Sequence, residues 1–263
     1  MAAMRTRDRR DEIVRLAMTS GLTSVEELAA TFDVTASTIR RDLARLTEEG
    51  RVARTYGGAM ALLAHPEPSL RQRTHEAFAA KRAMARWAAA QVSSGETILL
   101  DAGTSVGALA HELRDVPRLT VATTGLTALE RLAGSETVHV ECLGGTLRHL
   151  SQGFVGPLAE AALERLTFDR VFLGADGVTA ENGICEADLQ QTRLKELMMG
   201  RADRVYVLAH SEKLGRRPFN SWARLPSQWV LVTDEAAEPA ALAPFEARGV
   251  EIVVARADGS RVE

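Results

Sequence analysis

Seven short apolar runs occur between residues 96 and 255, and this pattern constrains the fold more than any other feature of the chain. Segments with helical spacing separate most of the runs. Because the runs are apolar on both faces and alternate with helices, they predict a parallel sheet covered on both sides, a Rossmann-like α/β architecture. The runs are ETILLD, LTVAT, VHVECL, RVFLGAD, RVYVLAH, WVLVTD and VEIVVA, and examples of the intervening helices are expected at 157–166 and 188–200.

A different pattern, in residues 23–59, predicts a helix, a turn, a second helix and a hairpin. Thr23 and Ser24 each precede a glutamate by three residues, so either can begin the first helix with a capping box. A Phe-Asp-Val segment then interrupts the apolar spacing, which predicts a bend. Thr35 can cap the second helix, and Gly50 is of the type that commonly ends one. This order of elements is typical of a winged helix-turn-helix.

The second helix is expected to have one apolar and one basic face. At about 100° per residue, Ile39, Leu43 and Leu46 share one side. Hydroxyls and then arginines occupy the other side, which suits a helix that enters the major groove of DNA and contacts phosphates. Three arginines on a helix can also form an ordinary solvated surface, but the whole series of elements favours DNA binding. The candidate DNA-binding residues are Thr35, Ser37, Thr38, Arg40, Arg41 and Arg45, with Arg54 in the hairpin.

Residues 34–59 read VTASTIRRDLARLTEEGRVARTYGGA, and they resemble the N-terminal domain of the DeoR family of bacterial transcriptional regulators. The TIRRDL helix and the terminal GGA wing carry the resemblance. It implies that the arginine-rich helix is the recognition helix, with Arg40 and Arg41 in that role. Tyr56 stands where a histidine is usual in the family.

Length and composition indicate a soluble protein of two domains: 263 residues, 46% hydrophobic and 25% charged. The formal net charge of -3 is compatible with DNA binding, because residues 1–58 contain ten arginines against nine acidic residues. No apolar run approaches the ~18 to 20 residues of a membrane helix, and the first residues lack a signal-peptide core, so we expect a cytoplasmic protein. Cys142 and Cys185 lack the spacing of a zinc or redox site, which predicts two buried thiols and no metal or other cofactor.

A change of composition marks the domain boundary. The segment MALLAHPEPSLRQ, at 60–72, contains two prolines and loses periodicity. We therefore predict a winged helix-turn-helix DNA-binding domain over 1–59, a linker over 60–73 and an effector-binding α/β domain over 74–263. A long helix from about 74 to 92 is expected after the linker, with an apolar face formed by Phe78, Met84, Trp87 and Ala88.

Small and polar residues follow the predicted strands, at the edge where ligands bind in such sheets. Asp101, Gly103, Thr104 and Ser105 come after the first run, in a loop of small residues that extends to Gly107, and a helix is expected over 108–113. The free N–H groups of a helix start, together with two hydroxyls, form a cradle for phosphate. A structural turn would explain this segment equally well by itself.

Charged residues extend this pattern along the chain. Asp176 follows the fourth run, Lys213 follows the fifth, and Lys195 lies on the helix between them, while Gly145 and Arg148 come after the third run. An acid that accepts hydrogen bonds from sugar hydroxyls, with lysines that pair with phosphate, indicates a phosphorylated sugar. Taken singly, Asp176 could cap a helix, and the two lysines could be solvated. Their joint occurrence at successive strand ends favours a ligand site.

Residues 74–254 resemble the effector domain of the same family, which is similar in fold to ribose-5-phosphate isomerases and the coenzyme A transferase superfamily. The motifs DAGTS, LGG, FLGADGV, RLKELM and SEKLG occur in family order. Thr124 replaces a usual asparagine and His210 a usual aspartate. If these family positions contact the effector, the departures imply a different sugar, and a histidine there would make binding depend on pH near its ordinary pKa of about 6.5. The resemblance implies binding of a sugar phosphate or related phosphorylated metabolite by Asp101, Gly103, Thr104, Ser105, Asp176, Lys195 and Lys213.

The leading hypothesis is a transcription factor, a repressor of a carbohydrate-catabolic operon that a phosphorylated sugar releases from double-stranded operator DNA. A homo-oligomer, dimer or tetramer, would bind symmetric half-sites. The alternative is a phosphosugar isomerase or transferase in which Asp101, Asp176 and Lys195 form an acid–base set. A DNA-binding domain has no use in such an enzyme, so no catalytic residues are assigned. Activation instead of repression is a third possibility.

Overall fold

A computed structural model describes residues 6–20, 22–48, 52–55, 58–61, 67–68 and 70–262. Their contacts divide the chain into two compact units, and the division falls between Glu67 and Pro68, inside the predicted linker 60–73. Both ends of that predicted linker carry secondary structure, because a strand continues to Ala61 and a helix begins at Leu70. Among the described residues, no helix combines the length and the apolar content that a membrane crossing requires.

The smaller unit consists, in its described part, of helices and a small antiparallel sheet. The elements are α1 (Thr6–Ser20), β1 (Leu22–Ser24), α2 (Val25–Phe32), α3 (Ala36–Glu48), β2 (Val52–Thr55) and β3 (Gly58–Ala61), with β3 between β1 and β2. Ser24 Oγ accepts from Glu27 N at 3.1 Å, and the Glu27 carboxylate accepts from Ser24 N at 3.0 Å. The predicted capping box is therefore confirmed in its Ser24 register. Asp33 ends α2 in the left-handed conformation, with φ 50°.

The core of the smaller unit contains the apolar face that the sequence predicts for α3. Ile39, Leu43 and Leu46 are fully buried against residues of α1 and α2. Helix α1 was not predicted, because its first half is mostly charged and shows no apolar helical spacing. It contributes Ile13 and Val14 to this core.

The larger unit is built on a seven-stranded sheet whose neighbouring strands are all parallel. All seven predicted strands are confirmed. In sheet order they are β15 (Glu251–Ala255), β14 (Val230–Asp234), β12 (Ala202–Leu208), β9 (Phe168–Leu173), β4 (Thr97–Leu100), β5 (Leu119–Thr123) and β6 (Val138–Cys142). The order runs in one direction from β4 to β6 and in the other from β9 to β15. The topological switch, where a crevice opens in folds of this class, therefore lies between β4 and β9.

Helices cover both faces of this sheet, and separate hydrophobic clusters lie on its two sides. The helices are α4 (Leu70–His75), α5 (Phe78–Ala90), α6 (Thr104–Glu112), α7 (Leu126–Leu132), α8 (Pro157–Leu163), α9 (Leu189–Met199) and α10 (Pro239–Glu246). Short antiparallel strands complete the unit: the hairpin β7 (Thr146–Arg148) with β8 (Gly153–Val155), and the sheet of β10 (Gly177–Thr179), β11 (Gly183–Glu186) and β13 (Ser221–Ala223). These strands have only three or four residues each, too few to produce a recognisable alternation in the sequence.

Two expectations about the segment 74–92 were wrong, one about its helices and one about the burial of Phe78. The single helix expected at 74–92 is two helices, because Ala77 adopts the left-handed conformation with φ 48° between α4 and α5. Phe78 is the first residue of α5 and is 59% exposed, since the buried face of this helix begins only at Lys81; Met84 and Ala88 are buried as predicted.

The two cysteines differ in environment. Cys142 is exposed, contrary to the prediction, because it ends β6, which is an edge strand of the sheet. Cys185 is buried as predicted, and burial raises the pKa of its thiol to about 11.

Candidate functional site

The exposed face of α3 carries the residues predicted to bind DNA. Thr35, Ser37, Arg40, Arg41 and Arg45 are exposed, and Thr38 is half-buried. The hydroxyls form a cluster at the helix start, where Thr35 Oγ1 lies 2.8 Å from Ser37 Oγ and 3.0 Å from Thr38 Oγ1. Thr35 Oγ1 also accepts from the Thr38 amide at 3.3 Å, as expected of a capping residue. The side chain of Arg54, as well as Tyr56 and Gly50, lies outside the described residues.

A buried carboxylate on the opposite face of α3 was missed by the sequence analysis. Asp42 is 2% exposed and accepts from Arg9 Nε and Arg10 Nε, each at 2.8 Å. These bonds join α3 to α1 and neutralise the negative charge of Asp42. The exposed face of α3 therefore keeps its positive character.

Seven of the nine residues predicted to bind an effector converge at the carboxyl ends of β4, β9 and β12, beside the topological switch. A cleft there is lined by Arg73, Ala102, Gly103, Thr104, Ser105, Ser151, Gly174, Ala175, Asp176, Glu186, Gln191, Lys195 and Lys213. Asp101 lies at its base, bonded to Lys195. The geometry thus brings together all seven residues that both the strand-end pattern and the family resemblance indicated.

The floor of the cleft is a buried ionic cluster. Lys195 Nζ contacts the Asp101 carboxylate, lies 3.1 Å from Glu186 Oε1 and donates to the Gly174 carbonyl at 2.9 Å. Burial works against the charge on this amine, but the two carboxylates raise the pKa of Lys195, so it is protonated. Burial raises the pKa of Glu186 to about 8, against the opposing effect of Lys195. Lys195 is therefore not an exposed helix lysine but the centre of the cluster.

Two buried polar atoms in the wall of the cleft have no hydrogen-bond partner among the described residues: Asp176 Oδ2 and Ser151 Oγ. Ser151 is 3% exposed, and the Asp176 side chain is 8% exposed. Buried polar groups are nearly always bonded in proteins, so such atoms point to a ligand or to water. Asp176 precedes the strand β10, so the alternative of a helix cap is wrong.

The start of α6 forms the opposite wall. The helix begins at Thr104, so its predicted start at Ala108 was wrong. Its N-cap is Gly103, with φ 123°, and no side chain of the described chain caps it. The first amides of α6 are thus open to an anion, and the helix dipole favours negative charge there. Gly125, from the next loop, approaches so closely that a Cβ would lie 2.9 Å from Ala102 Cα. Only glycine therefore allows these two loops to form the cleft.

Two further cations surround the cleft. Lys213 Nζ donates to the Ala175 carbonyl, and burial lowers the pKa of this amine. Lys81 is buried on α5 next to it, and burial together with the charge of Lys213 lowers the pKa of Lys81 to about 8. His210 is also buried, and burial with these two cations lowers its pKa to about 4. The expectation that His210 would make binding depend on pH near its ordinary pKa was therefore wrong.

Gly145 and Arg148 do not line the cleft. Gly145 has φ 117°, and a Cβ there would lie 2.6 Å from the Val155 carbonyl, so this glycine allows β7 and β8 to pair closely. Arg148 Nε lies 3.6 Å from Asp188, the N-cap of α9.

Other residues of the cleft were missed by the sequence analysis. Ser151 and Glu186 lie in or beside the short strands that have no sequence signal, Gln191 lies on α9, and Arg73 falls within the predicted linker. The signal used, a polar residue directly after an apolar run, does not occur at any of these positions.

Comparison with known proteins gives the following matches. Residues 9–63 match the family model of the DeoR-like helix-turn-helix domain, and residues 76–235 match that of the DeoR C terminal sensor domain. The HTH-type transcriptional regulator YulB of Bacillus subtilis, described as uncharacterized, is 35% identical over 93% of this chain and 95% of its own length. The HTH-type transcriptional regulator GlpR of Haloferax volcanii is 34% identical over 94% of this chain and 96% of its own.

A third relative, the lactose phosphotransferase system repressor of Streptococcus mutans, is 32% identical over 88% of this chain and 93% of its own. Among solved structures, ribose 5-phosphate isomerase A of Neisseria gonorrhoeae aligns with 51% of this chain and 52% of its own, at 15% identity and a TM-score of 0.37. This structural similarity is too low to support a conclusion about activity.

Proposed function

The chain belongs to the DeoR family of transcriptional regulators, and from this we propose that it represses a carbohydrate-catabolic operon and leaves its operator when a phosphorylated sugar binds. The family membership gives the coarser statement, a regulator that binds DNA. The identity of the effector class and the sign of regulation are the proposal. A protein with this role works in the cytoplasm, where its operator lies.

The exposed face of α3 supports the DNA-binding part of the proposal. The hydroxyls at its start can contact phosphates, and the planar guanidinium groups of Arg40 and Arg41 can grip a phosphate or a guanine edge with two hydrogen bonds. Arg54 and Arg45 remain candidates beside them. Because Arg9 and Arg10 neutralise Asp42, the carboxylate in the middle of this helix does not oppose the approach of DNA.

The observation that carries the effector part is the pair of buried polar atoms, Asp176 Oδ2 and Ser151 Oγ, that lack partners among the described residues and face the same cleft. A sugar hydroxyl supplies what both atoms need, since it donates to a carboxylate and bonds in either sense with a serine. The open start of α6 and the cations of the cleft supply what a phosphate needs. A phosphorylated sugar is the ligand class that combines these groups.

The names of relatives agree with a sugar-related role. The Streptococcus mutans protein is named as the repressor of a lactose phosphotransferase system. We further propose a homo-oligomer, dimer or tetramer, that binds symmetric half-sites. Effector binding would shift the population between arrangements that match the operator and arrangements that do not.

The proposal is tested by titrating the protein against DNA from upstream of its own gene and repeating the titration with candidate effectors. Binding should weaken steeply with salt, because arginine–phosphate contacts release counterions. A thermal-shift screen of phosphorylated hexoses, pentoses and three-carbon metabolites should identify the effector, since a ligand at 100 times its Kd adds ~2.7 kcal/mol to stability. That ligand should then release the DNA. Absent or salt-insensitive DNA binding would count against the regulator, and a screen without a hit would count against the effector class.

The competing candidate is a phosphosugar isomerase or transferase, which the cluster of Lys195, Asp101 and Glu186 would favour. The same contacts also argue for a structural role, because Lys195 is bonded to two carboxylates and a carbonyl at once. Turnover of ribose 5-phosphate above the uncatalysed rate would support the enzyme; its absence, together with operator binding, would support the regulator.

A further inference from the structure

One residue of the cleft comes from the segment that leads from the smaller unit into the larger one. The two units divide between Glu67 and Pro68, and α4 begins at Leu70. Arg73, in the middle of α4, lines the cleft. Helix α4 is therefore the first element of the larger unit after the chain leaves the DNA-binding unit, and it takes part in the candidate effector site.

The guanidinium of Arg73 joins two loops of the cleft. Its Nη1 donates to Asp176 Oδ1 at 3.2 Å, and its Nη2 donates to the Leu150 carbonyl at 3.0 Å. Asp176 is the residue whose other carboxylate oxygen lacks a partner among the described residues, and Leu150 directly precedes Ser151, the other residue with such an atom. Arg73 thus bonds to Asp176 and to the residue before Ser151; Asp176 and Ser151 are the two residues whose side chains we expect to bind the ligand.

The main chain of α4 is held separately. The buried amine of Lys81, on α5, donates to the Arg73 carbonyl and, at 2.7 Å, to the Glu76 carbonyl. These bonds hold the end of α4 to α5, and the Arg73 side chain connects the same helix to the cleft. A change at the guanidinium therefore alters its bonds to the loops of the cleft and leaves the bonds from Lys81 to the main chain in place.

Resting on the proposed function, we propose that Arg73 is a further effector-binding residue, which makes the position or stability of α4 depend on whether the cleft is occupied. A phosphate oxygen competes with Asp176 for the guanidinium, and a sugar hydroxyl competes with the guanidinium for Asp176. Either exchange changes the free energy that holds α4, and by linkage a change in α4 alters effector affinity by the same factor. An arginine is required, because a lysine offers no planar fork to reach both loops at once.

The inference is tested by hydrogen exchange on the full chain, with inorganic phosphate as the probe and potassium chloride at matched ionic strength as the reference. The variants are R73Q, which removes the charge, and R73K, which keeps the charge but not the fork. The control is R82Q, on the exposed side of α5 and outside the cleft. Thermal unfolding establishes that each variant is folded. Comparisons are made at matched occupancy, with more phosphate for R73Q, whose affinity should fall about tenfold.

In the wild type and in R82Q, phosphate should slow exchange in the first turn of α6 and change exchange across residues 70–76. R73Q should retain the protection of α6 and lose the change across residues 70–76. R73K should lose most of the change across residues 70–76. If R73Q responds at 70–76 as the wild type does, or if the wild type shows no change there, the role of Arg73 is wrong while the phosphate site stands. If no protein shows protection at α6, the effector site itself is wrong, and the inference falls with it.

Discussion

Asp42 on α3 accepts a hydrogen bond from Arg9 on α1 at 2.8 Å, and both side chains are buried. Arg10 adds a second bond to the same carboxylate at 2.8 Å. Helix α3 is thus held to α1 by charge as well as by apolar packing. A single buried carboxylate therefore contributes to the orientation of α3.

We expect Asp42→Asn to lower the free energy of unfolding of the smaller unit by ~3 kcal/mol, because it leaves the buried Arg9 guanidinium without its counter-charge. Thermal unfolding is followed both by circular dichroism, which reports on the two units together, and by tryptophan fluorescence. Because all three tryptophans lie in the larger unit, fluorescence reports on that unit alone, and a change seen only by circular dichroism belongs to the smaller unit. Asp33→Asn, at the exposed end of α2, is the control and should change little. A D42N protein as stable as the wild type would show that the pair contributes nothing.

Arg41→Ala should weaken operator binding while leaving the effector-induced thermal shift unchanged. If Arg41 contacts a phosphate, the salt dependence of binding should decrease by about one counterion, and if it reads a base, one sequence should lose ~1 to 3 kcal/mol selectively. Fluorescence anisotropy over a salt series separates the two. Arg165→Ala, at an exposed position of the larger unit, is the matched control. Equal affinities of R41A and wild type would remove Arg41 from the interface.

Ser151→Ala should weaken effector binding about fivefold, the value of one hydrogen bond, with little effect on stability. The reason is that Ser151 Oγ has no partner among the described residues, so its removal breaks no hydrogen bond among them. Calorimetric titration with the effector found by the thermal-shift screen gives the affinity. Ser227→Ala, exposed and outside the cleft, should bind as the wild type does. Unchanged affinity in S151A would exclude this hydroxyl from ligand recognition.

Glu186 should make the protein less stable as pH rises from its ordinary pKa of 4.5 to its raised pKa of about 8. Its pKa is raised to about 8 by burial, from an ordinary 4.5, so the folded state binds a proton that the unfolded state has released. This contribution is fully present below the ordinary pKa and is lost as pH rises through the raised one. Urea unfolding of the wild type and Glu186→Gln over this pH range should show a smaller slope in the variant. Parallel slopes would falsify the assignment; the exposed Glu181→Gln serves as control.

The central sheet could be predicted because each of its strands is a continuous apolar run, and the position of the cleft followed because parallel strands end on one side. Asp176 and Lys213 were found by that reasoning. Arg73 and Ser151 could not be found in this way. They reach the cleft from a short helix and from the turn between two three-residue strands, so their placement depends on contacts between segments that are distant in sequence.

The burial of charged side chains could not be predicted from the sequence either. The sequence alone indicates an ordinary helix lysine at position 195, and only the structure shows that Asp101 and Glu186 lie beside it. His210 reads as a residue that titrates near neutrality until its burial beside Lys213 is known. In each case the sequence gives the residue type, but the folded neighbours determine its protonation.

The chain contains only three lysines, Lys81, Lys195 and Lys213, and all three lie in or next to the cleft. Two of them are buried, and the third donates to a main-chain carbonyl. Reagents that acylate side-chain amines will therefore act at this one region alone, and the mass they add to side chains will report how accessible the region is. Coupling to an amine-reactive surface would, for the same reason, be a poor way to immobilise the protein with its sensor intact.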